Sequence, residues 1–114
     1  MRNPDLCDSV CPVARTLGRV GDGWSLLILR DAALGRTRFE DFRASLGVAP
    51  NILAERLGRL VEAGFLARRR YSERPPRDDY VLTARGRDFK SVLDAMAAFG
   101  ERNFPRSAET TAAG

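Results

Sequence analysis

The sequence predicts a mainly α-helical domain that carries one small β-hairpin. Three observations lead there. Apolar residues recur at helical spacing over most of the chain. One segment, residues 65–83, has the aromatic and β-branched content of two short strands instead. That segment directly follows two short helical patterns joined by a tight turn. At 114 residues the chain has room for one sizeable core, hence one domain.

The pair of short helices comes first in the argument. Thr37 and Glu40 have the spacing of a capping box, so a helix is expected to begin at Arg38. Phe39, Phe42 and Leu46 share its apolar face, and Gly47 ends it. Pro50 suits the first position of the next helix, where a missing N–H costs nothing. Ile52, Leu53, Leu57, Leu60 and Val61 form its apolar stripe, and Gly64 is the natural residue to stop it. The opposite face carries Asn51, Glu55, Arg56 and Arg59, residue types able to reach base edges and phosphates in a major groove. An ordinary amphipathic helix with a solvated polar face shows the same pattern, so the next segment decides.

Phe65–Tyr71 and Asp79–Thr83 read as strands, and SERPPRD between them holds two prolines that exclude it from a central strand. The segment is therefore a hairpin with a projecting tip, and a helix-turn-helix followed by such a hairpin is a winged helix. The tip (Ser72–Asp78) and its first strand carry Arg68, Arg69, Arg70, Arg74 and Arg77. Stability alone does not require five guanidinium groups there, whereas a wing lying along phosphates does.

Residues 1–10 are polar and are expected to form a loose arm. A helix opens at Pro12, with Val13, Leu17 and Val20 as its stripe, and Gly21-Asp22-Gly23 breaks it. Trp24–Leu34 is apolar nearly all round, which predicts a buried central helix with Trp24 in the core, stopped by Gly35. Beyond the wing, Thr83 is the expected N-cap of a long helix from Ala84 to about Arg102. Phe89, Val92, Leu93, Met96 and Phe99 recur along it. That is more apolar face than one small core can cover, so pairing with a second copy is expected. The tail 105–114 is small and polar, and disorder is expected there.

Charge sharpens this reading. From Arg36 to Arg77 ten arginines stand against five carboxylates, while the whole chain is only +4. Basic charge gathered on one segment is the footprint of a nucleic-acid binder. The chain has no histidine, which removes Ser-His-Asp and Cys-His catalysis, and Cys7 and Cys11 have no second pair for a four-ligand zinc site. No phosphate-binding glycine motif is present, and nothing argues for an enzyme or a cofactor. No apolar run approaches the ~20 residues of a membrane span, and the N-terminus lacks a signal-type apolar stretch, so a cytoplasmic protein is expected.

The chain resembles the HxlR-type transcriptional regulators, relatives of the MarR winged helices. The resembling residues include Cys11-Pro12-Val13, Trp24 with Leu27-Ile28-Leu29-Arg30, Phe39, Phe42, Leu53, Leu57, Leu60 and Gly64. They continue through Arg69, Tyr71, Pro75-Pro76, Tyr80, Leu82-Thr83 and Gly86, so that residues 11–104 form the winged helix-turn-helix domain. The resemblance implies a bacterial or archaeal homodimer on a pseudo-palindromic operator in double-stranded DNA. Its recognition helix is Pro50–Ala63, and extra dimerisation helices lie at the two chain ends. Ala49 departs from the hydroxyl residue common before the proline, which bears on one N-cap and one phosphate contact that the resemblance implies. The candidate DNA contacts are Thr37, Arg38, Asn51, Glu55, Arg56, Arg59, Arg69, Arg74 and Arg77, and the candidate dimer contacts are Val13, Leu17, Phe89, Val92, Leu93, Met96 and Phe99. Some members of the family sense electrophiles or oxidants through a cysteine near the N-terminus. Cys11 stands at the expected N-cap of the first helix, facing the positive end of its dipole, with Arg15 one turn along; these are features of reactive thiols. A small packing residue is the alternative for Cys11. For the whole chain the alternative is a winged-helix interaction module whose Arg-rich wing meets an acidic protein.

Overall fold

A computed structural model describes residues 4–106. The chain runs α1 (Pro4–Cys7), α2 (Pro12–Val20), α3 (Gly23–Ala33), α4 (Phe39–Leu46), α5 (Pro50–Glu62), β1 (Leu66–Glu73), β2 (Pro76–Leu82), α6 (Ala84–Asp88) and α7 (Lys90–Asn103). The mainly helical class with one antiparallel ribbon is as expected. The supposed loose arm contains the single-turn helix α1, and residues 1–3 lie outside the described residues. Of the tail, Pro105 and Arg106 have no regular structure, and residues 107–114 lie outside the described residues.

The core joins α3, α4, α5 and the ribbon. Ile28, Leu29, Phe42, Leu53, Leu57, Leu60 and Leu66 are almost fully enclosed. The α5 stripe therefore does what its spacing predicts. Gly47 closes α4 in the left-handed region at φ 65°, where a side chain would strain the backbone. At the end of α5, Phe65 N–H donates to Leu60 C=O at 2.9 Å and Gly64 N–H to Val61 C=O at 3.0 Å, with Gly64 at φ 84°.

Four expectations are corrected. Trp24, in the first turn of α3, is 37% exposed, and Leu34, just beyond the end of that helix, is exposed as well. The cap of α4 is Arg38 and not Thr37, and no side chain caps it. The Thr37 carbonyl is drawn to the ribbon instead, accepting Tyr80 N–H at 2.7 Å, while Glu40 accepts from Arg43 Nε at 3.0 Å. The wing tip is shorter than Ser72–Asp78. Pairing continues to Glu73 opposite Pro76, leaving only Arg74 and Pro75 in the turn, with a register shift between Arg70 and Ser72. A two-stranded ribbon has only edge strands, so Pro76 deprives no neighbour of a bond.

The fourth correction is the long C-terminal helix, which breaks at Phe89 into α6 and α7. Thr83 caps α6 as expected, accepting Gly86 N–H at 3.1 Å. A Cβ on Gly86 would stand 2.2 Å from the Phe65 carbonyl oxygen, so glycine allows α6 to sit against the start of β1. Phe89 then turns into the core and packs edge-on against Phe65, ring centroids 5.6 Å apart. It is 7% exposed and belongs to the core, not to a dimer face.

Candidate nucleic-acid interface

The outer face of α5 presents Asn51, Ala54 and Glu55 to solvent. Arg59 lies along the helix, its Nη2 donating to Glu55 at 2.8 Å. Arg56 is corrected. It does not stand opposite the apolar stripe as a free base reader, because its side chain is 15% exposed and reaches back to the start of α3. There its Nε donates to Asp22 Oδ1 at 3.1 Å, and Nη1 is in close contact with Glu55. Asp22 also caps α3, accepting from Ser25 N–H at 2.9 Å and Ser25 Oγ–H at 2.8 Å. Burial raises the Asp22 pKa, but the two Ser25 hydrogen bonds, with smaller help from positive charge and the Arg56 bond, outweigh it and bring the carboxyl down to about 2. Arg56 is thus a tie between the second helix of the motif and α3.

The ribbon has two faces because side chains alternate along a strand. One face carries Arg69 and Tyr71 with Asp79 opposite Arg69. Asp79 Oδ2 accepts from Arg69 Nη2 at 2.8 Å and Oδ1 from Arg38 Nε at 3.3 Å. Arg38 also lies over the Tyr71 ring, 4.0 Å from its centroid. The hydrogen bond from Arg69, against the opposing effect of burial, and the charge of Arg38 hold the Asp79 carboxyl below its ordinary range. The other face carries Arg68 over Tyr80, 5.6 Å from the ring centroid, and Arg70 paired with Asp78 at 2.7 Å. Arg68 also reaches α5, about 4.0 Å from where a Gly58 Cβ would be. Arg74 in the turn and Arg77 near the start of β2 are exposed and have no carboxylate partner among the described residues.

Of the nine candidate contacts, then, Asn51, Glu55, Arg59 and Arg38 lie along the helix-turn-helix surface, Arg69, Arg74 and Arg77 along the ribbon, and Thr37 at their junction. The sequence reading missed Tyr71 and Asp79 as organisers of this surface, and Arg68 as a link to α5. Their signal was the cross-strand register, which needs both the Arg74-Pro75 turn and the register shift between Arg70 and Ser72 to be known.

Away from this surface, Val92 (41%), Met96 (49%) and Phe99 (51%) are exposed on α7, with Val13 and Leu17 exposed on α2. An apolar groove of about 340 Å³ runs between the two helices past Val13, Leu17, Val92 and Met96. Leu93 is half-buried against the core. Cys11 is exposed at the start of α2, and Cys7 is half-buried; both are free thiols. The Arg15 guanidinium is turned to the Ser9 carbonyl, to which its Nη1 donates at 2.8 Å. Among the described residues no helix is long and apolar enough to cross a membrane.

Comparison with known proteins bears on what such a surface does. The HxlR-like helix-turn-helix family matches residues 19–108. The chain is 40% identical over 94 residues to the HTH-type transcriptional regulator Rv3095 of Mycobacterium tuberculosis, covering 82% of this chain and 60% of that protein. It therefore spans about 60% of the length of this mycobacterial relative. It is 36% identical over 102 residues to an HTH-type transcriptional regulator of Synechocystis, covering 86% of this chain and 76% of that one. Among solved structures, PA1607, described as a candidate transcription factor, superposes with a TM-score of 0.83 at 45% identity, covering 90% of this chain and 72% of that one. The reduced form of the redox regulator HypR superposes with a TM-score of 0.76 at 30% identity, covering 82% and 93%.

Proposed function

The chain belongs to the HxlR-like helix-turn-helix family of DNA-binding transcriptional regulators, and on that premise we propose that it binds a pseudo-palindromic operator as a homodimer. The observation that carries the reading is the exposed face of α5 set beside an arginine ribbon whose tip residues, Arg74 and Arg77, have no internal partner among the described residues. In this reading Asn51 and Glu55 meet base edges, Asn to adenine and Glu to cytosine, while Arg59 lines the groove wall. Thr37 and Arg38 lie against the backbone. Arg69, Arg74 and Arg77 follow phosphates or the minor groove. The second copy covers Val13, Leu17, Val92, Met96 and Phe99, an exposed apolar set that a monomer leaves wet. Two-fold symmetry then sets the two α5 helices about one helical turn of DNA apart, ~34 Å.

Footprinting of genomic fragments with the purified protein tests this. A protected site with two inverted half-sites, bound with an affinity that falls steeply with salt, is the expected result. Equal affinity for all DNA would leave only a non-specific basic surface.

A second reading rests on the exposure of Cys11 at the start of α2 and on the similarity to HypR, a redox regulator. Here a small electrophile or oxidant modifies Cys11, shifts α2 and changes the separation of the two α5 helices. A quinone should then weaken operator binding by the wild type and leave Cys11→Ser unaffected. Equal responses of the two proteins would assign Cys11 to packing.

A further inference from the structure

The junction between helix-turn-helix and ribbon holds an arrangement that DNA binding alone does not account for. Asp79 carries its negative charge on the face that would meet a polyanion. The residue is 5% exposed, yet the two arginines that it binds are 55% and 62% exposed at their side chains. Each carboxylate oxygen accepts from a different guanidinium, Oδ1 from Arg38 and Oδ2 from Arg69. A guanidinium has five N–H donors, so one bond to Asp79 leaves most of them facing outward.

Three further contacts remove the freedom of the pair. Arg38 rests on the Tyr71 ring at 4.0 Å. Asp79 stands directly opposite Arg69 in the strand register. Thr37 C=O, next to Arg38, accepts the N–H of Tyr80, next to Asp79, at 2.7 Å. Arg38 caps α4 and Arg69 lies in β1, so the cluster bridges the two elements.

We propose that Asp79 is a positioning residue that holds Arg38 and Arg69 as a paired seat for one DNA backbone phosphate at the junction of α4 and the ribbon. The proposal rests on the DNA-binding reading above and names a residue that touches no DNA itself. Two exposed guanidinium groups share one carboxylate, and a phosphate can bridge their remaining N–H groups. An arginine left to itself would lose side-chain freedom on binding, and the clamp has already removed it.

The test is the salt dependence of binding by full-length protein to a duplex containing the footprinted site and to an unrelated duplex of equal length, using wild type, Asp79→Asn and Arg38→Ala/Arg69→Ala. Asn keeps the volume and one acceptor and removes the charge. As a seat, the Asp79→Asn protein binds both duplexes roughly tenfold more weakly, and the slope of log affinity against log salt flattens by about 0.9, the value of one phosphate. In the double-arginine background Asp79→Asn then has no further effect. If Asp79 is only an unfavourable charge near DNA, its removal tightens binding and steepens the slope, and the proposal is overturned. If it serves the fold alone, the thermal midpoint falls while slope and affinity hold below that midpoint, which overturns it too. Asp79→Glu keeps the charge and restores the slope if the clamp is what matters. A wild type that binds neither duplex would refute the DNA-binding reading itself, whereas a binding wild type with an unchanged Asp79→Asn slope refutes only the seat.

Discussion

Replacing Asp22 separates two roles that one carboxylate holds. Its oxygens cap α3 through Ser25 and receive the Nε–H of Arg56 from α5, and both charged side chains are 15% exposed. Asp22→Asn keeps a good N-cap residue, since Asn and Asp cap equally well. It loses the charge facing Arg56. A charge-assisted bond that becomes neutral forfeits about 1–1.5 kcal/mol. The Asn variant should therefore be about 1–1.5 kcal/mol less stable at pH 7. Asp22→Ala also removes the cap, worth about 1 kcal/mol, and should lose about 2–3 kcal/mol, a fall of roughly 10 °C in midpoint for a domain of this size. The folded carboxyl titrates below its unfolded value, so its contribution is complete above about pH 4. It is lost as pH falls through about 2. Urea unfolding of the three proteins at one protein concentration, at pH 7 and in steps down to pH 2, reads this directly. The gap between wild type and Asp22→Asn should close across pH 4 to 2. Equal stability of the Asn and Ala variants, or a gap as large at pH 2 as at pH 7, would refute the division of roles.

Two other outcomes follow from exposure. Met96→Glu places a carboxylate in the proposed dimer contact at a position 49% exposed in the single chain, so it should change the unfolding free energy of the monomer by no more than about 0.5 kcal/mol while shifting sedimentation to the monomer; a wild type that sediments as a monomer at micromolar concentration refutes the contact. Arg77→Ala, at the wing, should weaken specific and non-specific DNA alike and reduce the salt slope by about one unit; an unchanged slope with relaxed sequence preference would make Arg77 a base reader.

Much of the fold is local and therefore legible in the chain. Helix positions follow from apolar spacing, and stops follow from Gly35, Gly47 and Gly64, all at positive φ. Pro12 and Pro50 open the helices they are expected to open. Where the reading slipped, a distant residue had intervened. Thr37 has the spacing of a cap, but the Tyr80 N–H, far along the chain, holds its carbonyl to the ribbon. Phe89 has the spacing of an outer stripe, but Phe65 and the close approach at Gly86 turn it inward.

By itself, then, the sequence determined the order of elements, the apolar stripe of α5, the arginine-rich ribbon and the resemblance to a family of regulators, because periodicity, capping and turn chemistry act over a few residues. The tertiary structure decided which arginines are free. Arg56, Arg38 and Arg69 look alike in the chain, yet one is enclosed against Asp22 and two stand exposed on Asp79. Charge pairing depends on distance through space, and the partners of these arginines lie 34, 41 and 10 positions away. No local rule reaches that far, and only the packed chain fixes which guanidinium groups remain exposed.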